Sequence, residues 1–357
     1  MKVMHKPLDI STTVHRLPES EDRWASWRDF LRANGEPAMY CDPEIIEAIA
    51  TGLRQEPFII EATRGGDVVG LLPAIFMRSS LFGRFLVSVP YVNWGGVICA
   101  DEAVGRKVLG TAIRLAEELD TNYLELRQLE PLDDDRLVVG KSAKVQMRLP
   151  LGAEADENWR GLKSEVRTQI RKAAKHGLQV SWGRDDESIR AFYEVFSRNM
   201  RDLGTPVFPL RLFRNIAAAA RDNAEFGVVR LDGAPIAACL AIHGPGLTEI
   251  PSAAALRAYR KTAANSLMYW NAIERAIERG QTEFDFGRST LGGATYIFKK
   301  KWGATARPVT WQYYLRRGDT QSMRPDNRKF ALAIQLWQRL PVAATRVLGP
   351  MIVRGIP

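Results

Sequence analysis

The chain has 357 residues, of which 46% are hydrophobic and 25% are charged, and its formal net charge is +9. This length favours two domains over a single core, and the composition excludes a low-complexity or largely disordered chain. The three cysteines lie far apart and the four histidines are scattered, so the sequence has neither a disulfide framework nor metal-site spacing.

The N-terminal segment carries charged residues throughout its first 30 positions. The longest apolar run, Val68–Met77, is interrupted by Pro73 and is shorter than the roughly 18 residues that a membrane-spanning helix needs. We therefore expect a cytoplasmic protein without an export signal. Its positive charge favours an anionic partner, such as RNA, a phosphate-bearing substrate, CoA or a membrane surface.

The first half begins with a mostly helical segment, Trp24–Ala50, followed by a β-hairpin, Pro57–Met77, whose turn is Gly65-Gly66. Residues 105–127 then predict an amphipathic helix and a short strand.

Three side chains just before the Gly95-Gly96 pair are candidates for lining an acceptor cleft. They are Tyr91, Asn93 and Trp94. Packing at the end of a strand would explain the same residues equally well.

A boundary is expected at Leu149–Glu154, where proline and glycine punctuate the chain. The second half then repeats the order of the first. It contains a mostly helical segment, Glu187–Arg221, a hairpin, Phe226–His243, with Asp232-Gly233 at its turn, and a helix followed by a strand at residues 265–287.

The two halves are related by a constant offset of 160 residues. Ala112 and Ile113 correspond to Ala272 and Ile273, and the strand residues 124–126 correspond to residues 284–286. This duplication predicts an α/β (α+β) fold with two similar mixed sheets flanked by helices. We assign the two units to residues 1–150 and 151–318, and a basic helical tail to residues 319–357.

A basic segment, Trp159–His176, predicts a helix with one apolar face and one cationic face. Gly177 supplies its C-terminal stop. The cations recur every four residues: Lys163, Arg167, Arg171 and Lys175. Such a row can bind phosphate groups, or it can be a solvated face that acidic neighbours balance.

Residues 284–303 combine a strand, a glycine-rich loop and an aromatic, basic cluster. The strand Glu283–Phe286 is expected to end at Gly287, and the loop begins with Arg288. The cluster after the loop contains Tyr296, Phe298, Lys299 and Trp302. Cations beside aromatic rings suit an anionic ligand or a developing oxyanion, although a plain surface loop leading into a last strand would have the same sequence.

The C-terminal segment, Arg316–Pro357, contributes six of the nine net positive charges. Its apolar stretch, Lys329–Leu340, contains a tryptophan. The stretch is suited to an anionic membrane surface, which would bring the protein to the inner face of the membrane, or it packs back onto the first half.

Three segments resemble signatures of the FemAB-like family: Val166–Leu178, Phe284–Ser289 and Phe298–Gly303. Arg198–Phe213 and the tail sequence PDNRKFALAIQLWQRLP are similar to the branch of this family found with exosortase/PEP-CTERM and exopolysaccharide gene clusters. The resemblance covers most of the chain. It implies two tandem GNAT-like (acyl-CoA N-acyltransferase) domains.

The resemblance also implies an acyltransferase that moves an acyl or aminoacyl group onto an amine of a cell-envelope or exopolysaccharide-related acceptor. In Fem-type enzymes, which use aminoacyl-tRNA, the pair that matches Phe298-Lys299 lies at the transfer site, and the lysine stabilises developing negative charge. The basic helix with Arg167 and Arg171 would lie near phosphates of a nucleotide-linked acceptor. Asp285 is either the acceptor of the amine proton or an ordinary polar position. The other substrate-binding candidates are Lys163, Arg288, Tyr296, Trp302, Tyr91, Asn93 and Trp94.

The donor stays open between aminoacyl-tRNA and acyl-CoA, and no bound cofactor is expected. The acetyl-CoA loop of GNAT enzymes reads R/QxxGxG/A, whereas the corresponding stretch, Leu256–Asn265, has no glycine, which argues against close approach of a pyrophosphate. The alternatives are a CoA-dependent N-acyltransferase and a catalytically inactive binding module of a polysaccharide- or membrane-associated assembly. No DNA-binding motif accompanies the positive charge.

Overall fold

The computed structural model describes residues 9–34, 38–140, 144–318 and 327–356. Two mixed sheets dominate the described part, and helices cover both faces of each sheet. Up to residue 150 the elements are β1 (Ile10–Arg16), α1 (Glu21–Ala33), α2 (Ala38–Cys41), α3 (Pro43–Leu53), β2 (Glu56–Arg64), β3 (Asp67–Ser79), β4 (Gly83–Val87), β5 (Ile98–Cys99), α4 (Glu102–Glu118), β6 (Tyr123–Gln128), β7 (Val138–Val139) and β8 (Lys144–Pro150).

The remaining elements follow in the same general order. They are α5 (Ala155–Gly161), α6 (Ser164–Ala174), β9 (Gln179–Gly183), α7 (Asp186–Leu203), α8 (Leu210–Ala220), β10 (Ala224–Leu231), β11 (Ala234–Gly244), β12 (Leu247–Ala255), α9 (Ala264–Glu278), β13 (Glu283–Thr290), α10 (Ala294–Lys301), β14 (Thr305–Pro308), β15 (Thr310–Leu315), α11 (Asn327–Arg339) and α12 (Val342–Val353).

The two sheets exchange strands. The first sheet has the order β1-β2-β3-β4-β6-β15-β7, with β5 beside β3, and the second has the order β14-β8-β13-β12-β11-β10-β9. Thus β8, at the end of the first half, lies in the second sheet, and β15, at the end of the second half, lies antiparallel to β6 in the first. Each half therefore completes the sheet of the other.

The backbone pairing confirms the duplication. The only parallel pairs in the described sheets are β4 with β6 and β12 with β13. On β6 the paired residues are Tyr123, Leu124 and Glu125, and on β13 they are Glu283, Phe284 and Asp285. These positions differ by the same 160 residues that relate the two halves in the sequence.

Local sequence explains the turns and one helix break. Gly65-Gly66 and Asp232-Gly233 all have positive φ angles, as tight hairpin turns require. The predicted continuous helix Trp159–His176 is wrong, because α5 ends at Gly161 and the chain is extended at Leu162 before α6 begins. Leu162 is buried in this break, so its burial stabilises the interruption.

Three layers of apolar side chains hold the two sheets together. The outer layers lie between the first sheet and α4 and between the second sheet and the α6, α9 and α10 group. The middle layer contains the inner faces of both sheets together with α1, α3, α7 and α8. Because this core is continuous across the two halves, it fixes their relative position.

The tail helices α11 and α12 pack mainly on α7 of the second half. Arg346 donates to the Ser197 hydroxyl at 2.9 Å, and the carbonyl oxygens of Val353 and Arg354 accept hydrogen bonds from Tyr91 and Gln55 of the first half. Within the described ranges, no helix has the length and apolar character needed to cross a membrane.

Candidate active site

The strands β12 and β13 diverge after only three parallel pairs, the last of which joins Glu249 to Asp285. Each strand has a bulge at this point. The register of β12 against β11 shifts between Glu249 and Ser252, and that of β13 against β8 shifts between Asp285 and Arg288. Bulges of this kind redirect side chains and are common beside active sites. The bulge also corrects the predicted end of this strand, because pairing with β8 resumes after Gly287 and continues to Thr290.

A buried polar cluster fills the point of divergence. Its members come from α2, the loop after β4, and strands β8, β12 and β13 together with α10: Tyr40, Asn93, Gln146, Arg148, Glu249, Asp285 and Lys299. Both halves of the chain therefore contribute to it.

The two carboxyl groups of the cluster lie opposite each other and are almost fully buried, with 2% exposure for Glu249 and 0% for Asp285. Asn93 Nδ2 donates to Glu249 Oε1, and the Gly287 N–H donates to Asp285 Oδ1 at 2.7 Å. Gln146 Nε2 donates to the second oxygen of Asp285. Burial raises the pKa of both carboxyls, and the charge of Asp285 raises the pKa of Glu249 further, to about 8.

Lys299 places its ammonium group inside this cluster. Its Nζ donates to the carbonyl oxygens of Gly287 at 3.0 Å and Arg288 at 3.1 Å, the backbone groups of the bulge. Burial lowers the pKa of Lys299 to about 8, although Asp285 and Glu249 oppose that shift. A protonated Lys299 is thus a buried cation beside two carboxyl groups.

Several polar atoms around the cluster have no hydrogen-bond partner although they are buried. They include Tyr40 Oη, Trp94 Nε1, Glu249 Oε2 and Ser289 Oγ. Buried polar groups in folded proteins are nearly always satisfied. A concentration of unsatisfied donors and acceptors at one place therefore indicates room for a polar ligand.

The first half lacks this arrangement at the equivalent position. Val87 stands opposite Glu125, and the Arg127 side chain neutralises Glu125 through Nε at 2.7 Å. The space between the strands is closed by backbone bonds, from the Ser88 N–H to the Glu125 oxygen at 2.9 Å and from the Gly95 N–H to the Arg127 oxygen at 3.0 Å. Of the two halves, only the second therefore has parallel strands that separate beside two carboxyl side chains.

Arg288 lies at the junction of the halves. Its guanidinium is 4.2 Å from the ring centre of Trp311, and Arg127 lies at the same distance from that ring. Among the described residues, no hydrogen-bond acceptor or carboxylate pairs with the Arg288 guanidinium. Burial, together with Arg127, lowers the pKa of Arg288 to about 10. Its donors are therefore available to an anionic ligand.

Only one of the three candidates before Gly95-Gly96 belongs to the cluster. Asn93 contacts Glu249, as described above. Trp94 is buried beside Tyr40, with ring centres 6.4 Å apart. Tyr91 instead stacks edge-on with Phe208 at 5.1 Å and donates to the Val353 carbonyl at 3.2 Å, so it holds the C-terminal tail.

The aromatic candidates of α10 surround Lys299 without joining the cluster. Phe298 packs on Tyr269 and Trp302, with ring centres 5.5 and 6.1 Å apart. Trp302 is only 2% exposed and belongs to the core of the second half. Tyr296 is half-buried, and Lys300 lies 5.9 Å from its ring centre.

The basic helix lies beside α10 rather than in the cluster. Lys301 pairs with Glu165 at 2.7 Å, which joins the start of α6 to the end of α10. Lys163 and Arg171 are exposed, Arg167 is half-buried, and none of the three contacts a cluster residue. Because of the helix break, Lys163 precedes α6 instead of continuing its row of cations.

The described part of the molecule contains at least three cavities. A small cavity of about 30 Å³ is next to the cluster and is lined by Tyr40, Tyr91, Pro251 and Ser252 together with apolar residues of α3 and α8. A larger cleft of about 520 Å³ lies between α1, α3 and the end of α8, but its Arg28 is paired with Asp42 and Glu44. Another, of about 360 Å³, lies between β8, α5 and Trp302.

Within the described ranges no group of His, Cys, Asp and Glu side chains could hold a metal ion.

Four residues of the cluster were not predicted from the sequence: Tyr40, Gln146, Arg148 and Glu249. Glu249 is a single acidic residue in the otherwise uncharged run 247–255, and an isolated charge in a predicted central strand is a usable signal. Pairing of β8 with β13 brings Gln146 and Arg148 to the site, and helix α2 of the first half brings Tyr40.

Comparisons with known proteins agree with this geometry. Residues 160–300 match the family described as an acetyltransferase (GNAT) domain. No curated protein sequence matches the chain significantly. The solved structure of FemX superposes with a TM-score of 0.64 at 15% identity, covering 90% of this chain and 100% of that one.

Two further solved structures share the fold. A tandem GNAT protein from the clavulanic acid biosynthesis pathway gives a TM-score of 0.52 at 15% identity, over 85% of this chain and 97% of that one. A C-terminal domain ascribed to a lysylphosphatidylglycerol synthetase from Agrobacterium fabrum gives 0.56 at 10% identity, over 83% and 92%. The expected fold, two tandem GNAT-like units with mixed sheets flanked by helices, is confirmed.

Proposed function

We propose that this protein is an acyl- or aminoacyltransferase that moves an activated acyl group onto an amine, and that the chemistry takes place in its second half. The observation that carries the proposal is the buried Glu249, Asp285 and Lys299 group at the divergence of β12 and β13, surrounded by unsatisfied polar atoms. All three residues lie within the segment that matches the GNAT acetyltransferase domain.

In the proposed reaction the amine nitrogen attacks the carbonyl carbon of an ester or thioester. A C–N bond forms, the C–O or C–S bond to the carrier breaks, and the carrier leaves as an alcohol or thiol. Lys299 stabilises the tetrahedral oxyanion, an effect worth about 3–4 kcal/mol per donor in well-studied sites. Its bonds to the bulge carbonyls hold the ammonium at the divergence.

We assign the role of proton acceptor to Glu249. Its Oε2 has no hydrogen-bond partner, whereas both oxygens of Asp285 accept bonds from Gln146 and the Gly287 N–H. The raised pKa of Glu249 lies near neutral pH, as efficient general bases require. Asp285 then acts as the neighbour that keeps the Lys299 cation in place.

The donor is an acyl group on a phosphate-bearing carrier, either aminoacyl-tRNA or acyl-CoA. The N-terminus of α9 offers backbone N–H groups and the positive end of a helix dipole. Arg257, Arg260 and Lys261 are exposed beside it and form no ion pairs within the described residues. The buried Ala263, where a GNAT acetyl-CoA loop has glycine, hinders close approach of a pyrophosphate and so favours the tRNA carrier.

The acceptor is an amine that carries an anionic group. Arg288 is the residue best suited to that anion, because its guanidinium has no partner in the described part of the chain and is fixed against Trp311. Arg167 and Arg171 would contact more distant phosphates of the acceptor or donor. A cell-envelope or exopolysaccharide-related acceptor rests on the family resemblance alone. The small cavity of about 30 Å³ beside the cluster suits a small acyl side chain.

A direct test is to measure binding of charged tRNA and of acetyl-CoA side by side at low and high salt. Ionic phosphate contacts predict binding that weakens with salt. We expect tRNA to bind more tightly than acetyl-CoA. Arg167→Ala and Arg171→Ala should each weaken tRNA binding, and each should reduce the slope of log affinity against log salt by about the one unit expected for one phosphate contact. Glu187→Gln, an exposed position on α7, is the matched control and should leave tRNA binding unchanged.

Preferential binding of acetyl-CoA would instead make the protein a CoA-dependent N-acyltransferase. Binding of neither donor would refute the proposed activity and favour a non-catalytic binding module.

A further inference from the structure

The C-terminal helices expose an unusual amount of apolar surface. Of the 14 large apolar side chains that are exposed in the described residues, six belong to this short tail. They are Leu332, Leu336, Val347, Leu348, Met351 and Ile356. Scattered surface leucines need no explanation, but a concentration of them marks an interaction site.

The exposed residues follow one spacing on both helices. Leu332 and Leu336 are followed by Arg339 on α11, and Val347 and Met351 of α12 are followed by Arg354 directly after that helix, each at positions i, i+4 and i+7. Residues at this spacing lie on one face of a helix. The opposite face of α12 is buried on α7 through Thr345, Gly349 and Val353. Both helices are therefore amphipathic, with an outward apolar face that ends in an arginine.

The apolar area continues onto the first half. Gly355 packs against Ser79 and Phe82 of the turn between β3 and β4. In that turn Leu81 is 78% exposed and Phe82 is 37% exposed. These side chains lie outside the cavities described above.

Unpaired positive charge borders this face. Arg54, Arg211 and Arg354 lie close enough together that Arg54 and Arg354 help to lower the pKa of Arg211, after burial. None of the three forms an ion pair with another described residue. Mutual repulsion of these cations disfavours a second copy of the chain as the occupant and favours an anionic surface.

We propose that the face formed by α11, α12 and the Leu81-Phe82 turn docks the protein on an anionic lipid membrane. The apolar side chains enter the interfacial region and the arginines contact lipid phosphates. This inference does not depend on the proposed transferase activity.

Co-sedimentation of the full chain with vesicles tests the inference. We expect binding to phosphatidylcholine vesicles that contain about one third phosphatidylglycerol, and much weaker binding to phosphatidylcholine alone. The double variant Val347→Glu/Met351→Glu should lose at least tenfold in affinity. Arg354→Gln should lose about fivefold, as expected for one cation at the surface. Val139→Glu, on an exposed edge strand in the first half, is the matched control and should bind like the wild type.

These substitutions are on the surface, so circular dichroism should show unchanged folding. Equal binding of the wild type and the double variant, or no vesicle binding at all, would overturn the proposal. A concentration-dependent dimer that the double variant abolishes, seen without vesicle binding, would overturn it in favour of a self-association face.

Discussion

Replacement of Glu249 by glutamine should stabilise the protein, and increasingly so as the pH rises. Burial and Asp285 raise the pKa of Glu249 from 4.5 to about 8, so the folded protein resists ionising this carboxyl. Between these two values the unfolded chain loses the proton and the folded chain keeps it. The free energy of unfolding of the wild type therefore falls by about 1.4 kcal/mol per pH unit in this range. The full loss reaches roughly 3–5 kcal/mol above pH 8.

The sign of the effect follows from the raised pKa. Below pH 4.5 both states are protonated and Glu249→Gln should change stability little, because the amide oxygen can still accept from Asn93. Above pH 8 the wild type carries a buried charge that the variant lacks.

Urea denaturation at pH 5, 7 and 9 would measure the difference in free energy of unfolding between Glu249→Gln and the wild type. Glu283→Gln, on the neighbouring strand β13, is a suitable control. Its carboxylate pairs with the buried Arg148 at 3.0 Å, so this variant should lose stability. We expect this difference in free energy of unfolding to grow from pH 5 to pH 9. If it stays constant or becomes smaller, Glu249 is not a buried carboxyl that keeps its proton in the folded protein.

Two further predictions concern the fold. Residues 1–150 expressed alone should remain unfolded by circular dichroism, because β6 loses β15 and the middle core loses α7 and α8; a cooperatively folded fragment would contradict the strand exchange. Trp302→Ala should destabilise the protein by about 3–5 kcal/mol in denaturant titrations, since the side chain is 2% exposed among Phe286, Phe298 and Tyr269. A loss below about 1 kcal/mol would show that Trp302 is not a core residue.

The repeated pattern of local structure was predictable from the sequence. Alternating residues in the strands and amphipathic spacing in the helices are local signals, and the 160-residue offset between them matches the register of the two parallel strand pairs. The hairpin turns were equally clear, because Gly65-Gly66 and Asp232-Gly233 have the φ angles that their residue types favour.

The exchange of strands between the sheets could not be predicted in this way. β8 and β15 each pair with a strand more than 130 residues away, and no local pattern specifies such a partner. The break in the basic helix had a local signal in Gly161, but the burial of Leu162 that stabilises it depends on packing against the second sheet.

The candidate site was only partly visible in the sequence. Lys299 and Asp285 lie in a recognisable segment, and the structure brings them together. Glu249 lies more than 30 residues away in the chain and faces Asp285 only because β12 and β13 are parallel at that register. Tyr40, Gln146 and Arg148 join the cluster through contacts between the halves, which are properties of the assembled core.

The central claim is that Lys299 supports acyl transfer in the second half. The most direct test measures incorporation of a radiolabelled acyl group into amide product, with charged tRNA and acetyl-CoA as donors and small molecules of a bacterial extract as acceptors. Lys299→Met should react about 100- to 1,000-fold more slowly than the wild type, whereas Lys300→Met, at the exposed neighbouring position, should stay within about threefold. Turnover by Lys299→Met within about threefold of the wild type, with the fold intact, would contradict the account.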